Sequence, residues 1–182
     1  MSKAVIDLMR ALDFAARRHR DQRRKGAAAE PYINHLTEVA RLVAEATDGR
    51  DTLAVMGALL HDTVEDTKPT REELASLFGA DVAALVIEVT DDKLLPKAER
   101  KRLQVEHAPH KSRRAKLIKI ADKTSNLHSV ASSPPADWDA ARQDEYLEWA
   151  DRVVAGCRGV NSRLEAEFDK RLRAARKAVR QR

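Results

Sequence analysis

The run Leu53-Ala-Val-Met-Gly-Ala-Leu-Leu60 is apolar on every side and leads straight into His61-Asp62-Thr63-Val64-Glu65-Asp66. A helix with no polar face must be enclosed by other elements, so this run predicts a buried helix with neighbours packed around it. Residues four apart share a helical face, which sets Glu65 beside His61 and Asp66 beside Asp62. Groups able to bind a metal or move a proton then stand at the dry end of a buried helix. That is costly unless they are paired or hold a cation. The pattern points to a metallohydrolase.

The rest of the chain supplies an all-α surround. Ala, Leu, Glu, Arg and Lys abound, aromatic residues make up only 4%, and no useful strand-like alternation occurs. Val5, Leu8, Leu12 and Ala15 recur at helical spacing and predict a first helix over 2–20. A basic loop from Asp21 to Pro31 leads to a second helix over 34–47. Asp51 caps a third helix that runs into His61-Asp62, and Thr70-Arg-Glu-Glu73 resembles a capping box. Further helices are expected over 81–91, from Pro96 to Glu106, over 112–130, from an Asp137 cap to Cys157, and from Gly159 onward. With 182 residues the chain reads as one domain, 1–182, of about eight to nine helices.

The net charge of +5 invites a nucleic-acid reading, but the excess lies in a basic helix or tail at 170–182. Without those residues the body holds 27 basic residues against 29 acidic ones, so RNA binding is disfavoured. The tail itself reads as a solvated helix end. A lone Cys157 permits no internal disulfide, which fits a reducing compartment. Asp7 interrupts any signal-peptide core, and no segment approaches the ~18 apolar residues of a membrane span. A soluble, cytoplasmic protein is expected, with no membrane partner and with a homo-oligomer left open.

A metal site needs ligands from several helices, and His35, His61, Asp62 and Asp122 are the candidates. Each lies at a helix end or within an apolar helix. Two imidazoles and two carboxylates suit Mn²⁺, Fe²⁺ or Zn²⁺, and open positions on the ion would serve water and a phosphate oxygen. Ser125, Asn126 and Ser129 share the face of Asp122 and read as ribose or phosphate contacts. Arg23-Arg24-Lys25-Gly26 can grip phosphate or stack on a base, and Lys93, Lys97, Arg100, Lys101 and Arg102 form a second basic cluster. His107 and His110 read as surface residues. Trp138, Tyr146 and Trp149 read as a staple for the late helix.

These motifs together carry a resemblance. Arg23-Arg24-Lys25, Pro31-Tyr-Ile-Asn-His35, Ala58-Leu-Leu-His-Asp-Thr-Val-Glu-Asp-Thr67, Val89-Thr-Asp-Asp-Lys93, Glu99-Arg-Lys-Arg-Leu-Gln104, Lys119-Ile-Ala-Asp-Lys123 and Tyr146-Leu-Glu-Trp-Ala150 span nearly the whole chain. In these the chain resembles the HD-domain hydrolases of the RelA/SpoT type, and among them the small stand-alone alarmone hydrolases. The resemblance implies one Mn²⁺ held by His35, His61, Asp62 and Asp122, with Glu65 and Asp66 orienting or deprotonating the attacking water. It also implies that Arg24 and Lys25 pack around a guanine and that Asn126 and Ser129 hold the nucleotide, while the basic cluster with Lys97 reads from its charge as a polyphosphate contact. The reaction would remove the 3′-pyrophosphate from guanosine tetra- or pentaphosphate. The chain's length adds the expectation that it degrades this alarmone and does not make it. Leu36, Thr124-Ser125 and His128 depart from the usual pattern, and the smaller Thr124-Ser125 pair touches substrate fit. Two other readings stand beside this one: an NADPH 2′-phosphatase using the same site, and a non-catalytic nucleotide- or RNA-binding module docked by its tail.

Overall fold

A computed structural model describes residues 3–182. Met1 and Ser2, where the first expected helix begins, lie outside the described residues. Ten α-helices and one 3-10 turn make up the described fold, and no strand longer than an isolated bridge occurs among them. They are α1 (Lys3–Arg18), α2 (Ile33–Ala46), α3 (Thr52–Leu60), α4 (Thr63–Thr67), α5 (Arg71–Phe78), α6 (Ala80–Val89), α7 (Lys97–His107), α8 (Arg113–Ser132), α9 (Ala140–Ala155) and α10 (Ser162–Arg180), with the 3-10 turn at Ala108–His110. The nine expected segments are all present. The extra helix arises because the third one breaks at His61-Asp62 and resumes as α4. Asp62 has φ −97° and ψ −2°, which ends the regular hydrogen-bond ladder.

The apolar run does form the central helix. Residues 54–60 of α3 are all buried, and α1, α2, α6 and α8 pack around them. Asp51 accepts a hydrogen bond from the Ala54 amide at 3.1 Å, and Thr70 accepts one from the Glu73 amide at 3.1 Å, as capping requires. The cap of α9 is Asp139 rather than Asp137, because Pro135 and Trp138 keep the chain in a turn for longer. Gly57 lets α3 approach its neighbours closely. A Cβ there would stand 2.6 Å from Leu85 Cδ2 and 3.1 Å from Ile118 Cδ1. Gly57→Val is therefore expected to overpack this contact and lower stability by about 1–3 kcal/mol, read as a lower urea midpoint at unchanged slope.

The basic C-terminal segment is not a solvated end. Leu172, Ala175 and Val179 are buried against the body, and α10 packs along α8. Arg171 reaches Glu38, Arg176 pairs with Asp151 at 3.0 Å, and Arg182 donates to the Val130 carbonyl at 3.2 Å. The amphipathic spacing of α10 explains why one face packs on the body while Arg173, Lys177 and Arg180 face solvent. Five of its apolar residues face inward, and the long basic stems of Arg171 and Arg176 reach acceptors at the margin.

Candidate metal centre and active site

The break after α3 brings the His-Asp pair to the end of a large cavity of about 1120 Å³. Helix α2 brings His35, and the break after α3 brings His61 and Asp62, to one point, with Asp122 of α8 beside the two rings. His35 Nε2 lies 3.7 Å from Asp62 Oδ2 and 3.4 Å from Asp122 Oδ1. His61 Nε2 lies 3.2 Å from Asp62 Oδ2 and 3.9 Å from Asp122 Oδ1. Ligands about 2.1 Å from one ion stand roughly 3–4 Å apart, so the spacing of each carboxylate from the two rings suits a shared cation.

Hydrogen bonds behind the rings fix which nitrogen faces inward. His61 Nδ1 donates to the Ala58 carbonyl at 2.8 Å, so the neutral ring presents its Nε2 lone pair. That Nε2 is buried with no hydrogen-bond partner among the described residues, with Asp62 Oδ2 3.2 Å away. Burial opposes a charge on His61, but the carboxylates of Asp62 and Asp122 outweigh it and push its pKa up to about 9. A buried ring nitrogen without a hydrogen bond, flanked by two carboxylates, is a donor suited to a cation. A divalent cation fits the donor set. Among the described residues, His35, His61 and Asp62 form a group whose ligand atoms lie within 4.8 Å of one another, and Asp122 stands just outside it.

The carboxylates are held in turn. Tyr32 O–H donates to Asp62 Oδ2 at 2.6 Å. Asn126 Nδ2 donates to Asp122 Oδ1 at 2.6 Å, and Lys123 Nζ to Asp122 Oδ2 at 2.9 Å. The Lys123 ammonium also sits 4.3 Å from the centre of the Trp149 ring, which offsets its burial. Burial pushes the Asp122 carboxyl up, but Lys123 and the two histidines overcome this and hold it well below its usual range.

Glu65 and Asp66 also line the cavity, but their surroundings differ. Asp66 accepts hydrogen bonds from Gln22 Nε2 at 2.8 Å and from Lys93. Among the described residues, Glu65 makes only long ion pairs, 3.6 Å to Arg100 and 3.8 Å to Lys93. Burial, together with the charges of Asp62 and Asp91, raises the Glu65 pKa above its ordinary value.

The walls are cationic. Arg24, Lys25, Lys93, Lys97, Arg100 and Lys101 all line the cavity, and Arg142 of α9 joins them. Arg102 does not, because it is exposed and pairs with Glu99 and Glu106. Burial and the like charges of Arg142, Lys101 and Lys25 lower the pKa of Lys97, so cations crowd that end without full neutralisation. Arg24 Nη2 donates to Asn126 Oδ1 at 3.0 Å and to Ser129 Oγ at 2.7 Å, which joins three predicted contacts into one wall.

Ser125 departs from the expectation. It is 1% exposed and faces away from the cavity, toward His35 and Glu38. A 3.6-residue turn moves a residue three positions on by only a small rotation, and here that rotation carries it behind the ligand set. Trp138, Tyr146 and Trp149 do tie α9 down, with Trp149 Nε1 donating to the Lys101 carbonyl at 3.0 Å. All three also line the cavity, a role the sequence reading missed. Tyr32 and Gln22 were missed too, although Tyr32 lies in the quoted Pro31–His35 motif. His107 and His110 are exposed, as expected.

Residues 11–150 match the HD domain family. The chain belongs to the HD-domain family. This HD-domain chain is 51% identical over 169 residues to the Xenopus tropicalis guanosine-3′,5′-bis(diphosphate) 3′-pyrophosphohydrolase MESH1, covering 93% of this chain and 94% of that protein. The Homo sapiens protein of the same name is 52% identical over 165 residues, covering 91% and 92%. A solved structure described as a metazoan ortholog of SpoT that hydrolyzes ppGpp superposes with a TM-score of 0.88 at 47% identity, covering 92% of this HD-domain chain and 94% of that one. Among the described residues, no helix of this HD-domain chain is long and apolar enough to cross a membrane.

Proposed function

We propose that the chain is a Mn²⁺-dependent guanosine-3′,5′-bis(diphosphate) 3′-pyrophosphohydrolase that releases GDP or GTP and pyrophosphate. The observation that carries this reading is identity of about half the residues, over about nine-tenths of the chain, to relatives named for that activity. The geometry supports it, because a cation-walled cavity suits a substrate carrying two diphosphates and ends at a histidine-carboxylate ligand set.

In this reading His35, His61, Asp62 and Asp122 hold the ion. A divalent cation there supplies Lewis-acid charge that stabilises negative charge developing on the phosphoryl oxygens and acidifies the attacking water. Glu65, with a raised pKa and no short hydrogen bond, takes the proton of that water. Asp66, bound by Gln22 and Lys93, holds those two side chains and the α4 turn in place. Arg24 presents a guanidinium plane to the base while tied to Asn126 and Ser129. Lys25, Lys97 and Arg142 meet the 5′-diphosphate. The protein works in the cytoplasm, consistent with its single, buried, unpaired Cys157.

The crowded cations give a specific expectation. Lys97→Ala should raise KM for guanosine tetraphosphate by about tenfold with little change in kcat, since it removes binding shared by ground and transition states. The rise should shrink in high salt, where the wild-type attraction is itself screened. Product analysis with guanosine tetraphosphate tests the function as a whole, with NADPH as the competing substrate.

A further inference from the structure

A chain of hydrogen bonds runs from the back of one candidate ligand to the C-terminal helix. His35 Nδ1 and Ser125 Oγ are 2.9 Å apart, and the Ser125 hydroxyl donates to Glu38 Oε2 at 2.7 Å. The other oxygen of that carboxylate, Oε1, accepts from Arg171 Nη1 at 2.7 Å. Arg171 Nε donates in turn to Glu167 Oε1 at 2.9 Å. We propose that Glu38, Ser125 and Arg171 form a positioning relay that fixes His35 as a metal ligand. The inference rests on the metal-site reading above.

The proton count gives the relay a direction. A hydroxyl has one proton, and an ionised carboxylate only accepts, so the Ser125 proton points at Glu38. Burial raises the Glu38 carboxyl, but hydrogen bonds from Ser125 and Arg171 outweigh it and keep it ionised. The Ser125 oxygen is then left as an acceptor, and His35 must place its own proton on Nδ1. That tautomer turns the Nε2 lone pair toward Asp62 and Asp122. The serine thus does for His35 what the Ala58 carbonyl does for His61.

Helical spacing builds the relay from three elements. Glu38 follows His35 by three residues on α2, and Ser125 follows Asp122 by three on α8, so both lie one turn beyond a candidate ligand. Arg171 reaches across from α10. A side cavity of about 230 Å³ borders His35, Glu38, Ser125 and His128, so water reaches the carboxylate from that side. Arg171, at 2.7 Å, holds an otherwise wettable Glu38 far more closely than Arg41, at 4.0 Å. The C-terminal helix therefore belongs to the metal centre, although none of its residues lines the large cavity.

The test measures Mn²⁺ affinity of the full chain by chelator competition, with no nucleotide present, for wild type, Glu38→Ala, Ser125→Ala, the double variant and Arg171→Met. Loss of an outer partner of a metal-bound histidine weakens binding by about 10–100-fold. Each single variant should show such a loss at an unchanged metal-free melting temperature. The double variant should lose no more than the worse single one, because both cut the same chain. Arg171→Lys should recover part of the loss seen with Arg171→Met. Should Glu38→Ala fail to fold, Glu38→Gln keeps its volume and carries the comparison. Unchanged affinity in the single variants would overturn the relay. So would losses that add in the double variant, or that follow the metal-free melting temperature. Wild-type protein that binds no Mn²⁺ would overturn the metal site as well. Failure to turn over guanosine tetraphosphate, with metal binding intact, would count against the substrate and leave the relay standing.

Discussion

Asp62→Ala is expected to lose both the ion and the reaction. Asp62 Oδ2 stands within 4 Å of both imidazole Nε2 atoms, and it is the carboxylate that Tyr32 holds in place. No neighbour can substitute, since Asp122 already serves the other side of the two rings and Glu65 lies out toward Arg100 and Lys93. Loss of a ligand should exceed the 10–100-fold loss in affinity typical of an outer partner. The effect is visible without substrate. A ligand that binds only the folded state at about 100 times its Kd adds about 2.7 kcal/mol of stability. Saturating Mn²⁺ should therefore raise the melting temperature of the wild type and leave that of Asp62→Ala unmoved. An equal rise in both would remove Asp62 from the ligand set.

Glu65→Gln should separate catalysis from metal binding. The variant keeps the volume of the side chain and all four ligands, so Mn²⁺ should still raise its melting temperature. Turnover should fall by about 10²–10⁴-fold, the usual contribution of a positioned base. The pH profile supplies a second readout. Glu65 has to be ionised to accept a proton, and burial with the nearby Asp62 and Asp91 charges raises its pKa. A raised pKa means that activity is lost at a higher pH as the solution is acidified. The wild-type kcat/KM should bend downward above the ~4.3 of an ordinary glutamate. That bend should be absent from the residual activity of Glu65→Gln. An acid limb that survives unchanged in the variant would assign it to another group.

Why some of this was readable in the sequence, and some was not, follows from the range of each interaction. Asp122 stood out because Leu117, Ile118 and Ala121 place it in a buried helix, where a lone carboxylate needs a partner. His61-Asp62 stood out because the apolar run before it left no exposed face. Both are local signals. The break of α3 at that pair was not legible, since the periodicity continues unbroken through it and only the φ, ψ values of Asp62 reveal the change. Ser125 was given to the cavity because helical spacing names the shared face but not the few tens of degrees that separate front from back. Tyr32 and Gln22 act through contacts with residues far along the chain, Tyr32 with Asp62 and Gln22 with Asp66. No periodicity announces such pairs. Arg171 looked like one more charge in a basic tail, and its partner Glu38 lies 133 positions away.

The central claim is that the ligand set at the end of the α3 helix drives hydrolysis of a guanosine 3′-diphosphate. The direct measurement incubates Mn²⁺-loaded protein with guanosine tetraphosphate and, separately, with NADPH, beside Asp62→Ala, and identifies the products. The account predicts GDP and pyrophosphate in equal amounts from the first substrate and neither product from the variant. Phosphate released from NADPH with guanosine tetraphosphate left intact would contradict it, as would GDP formed equally well by Asp62→Ala.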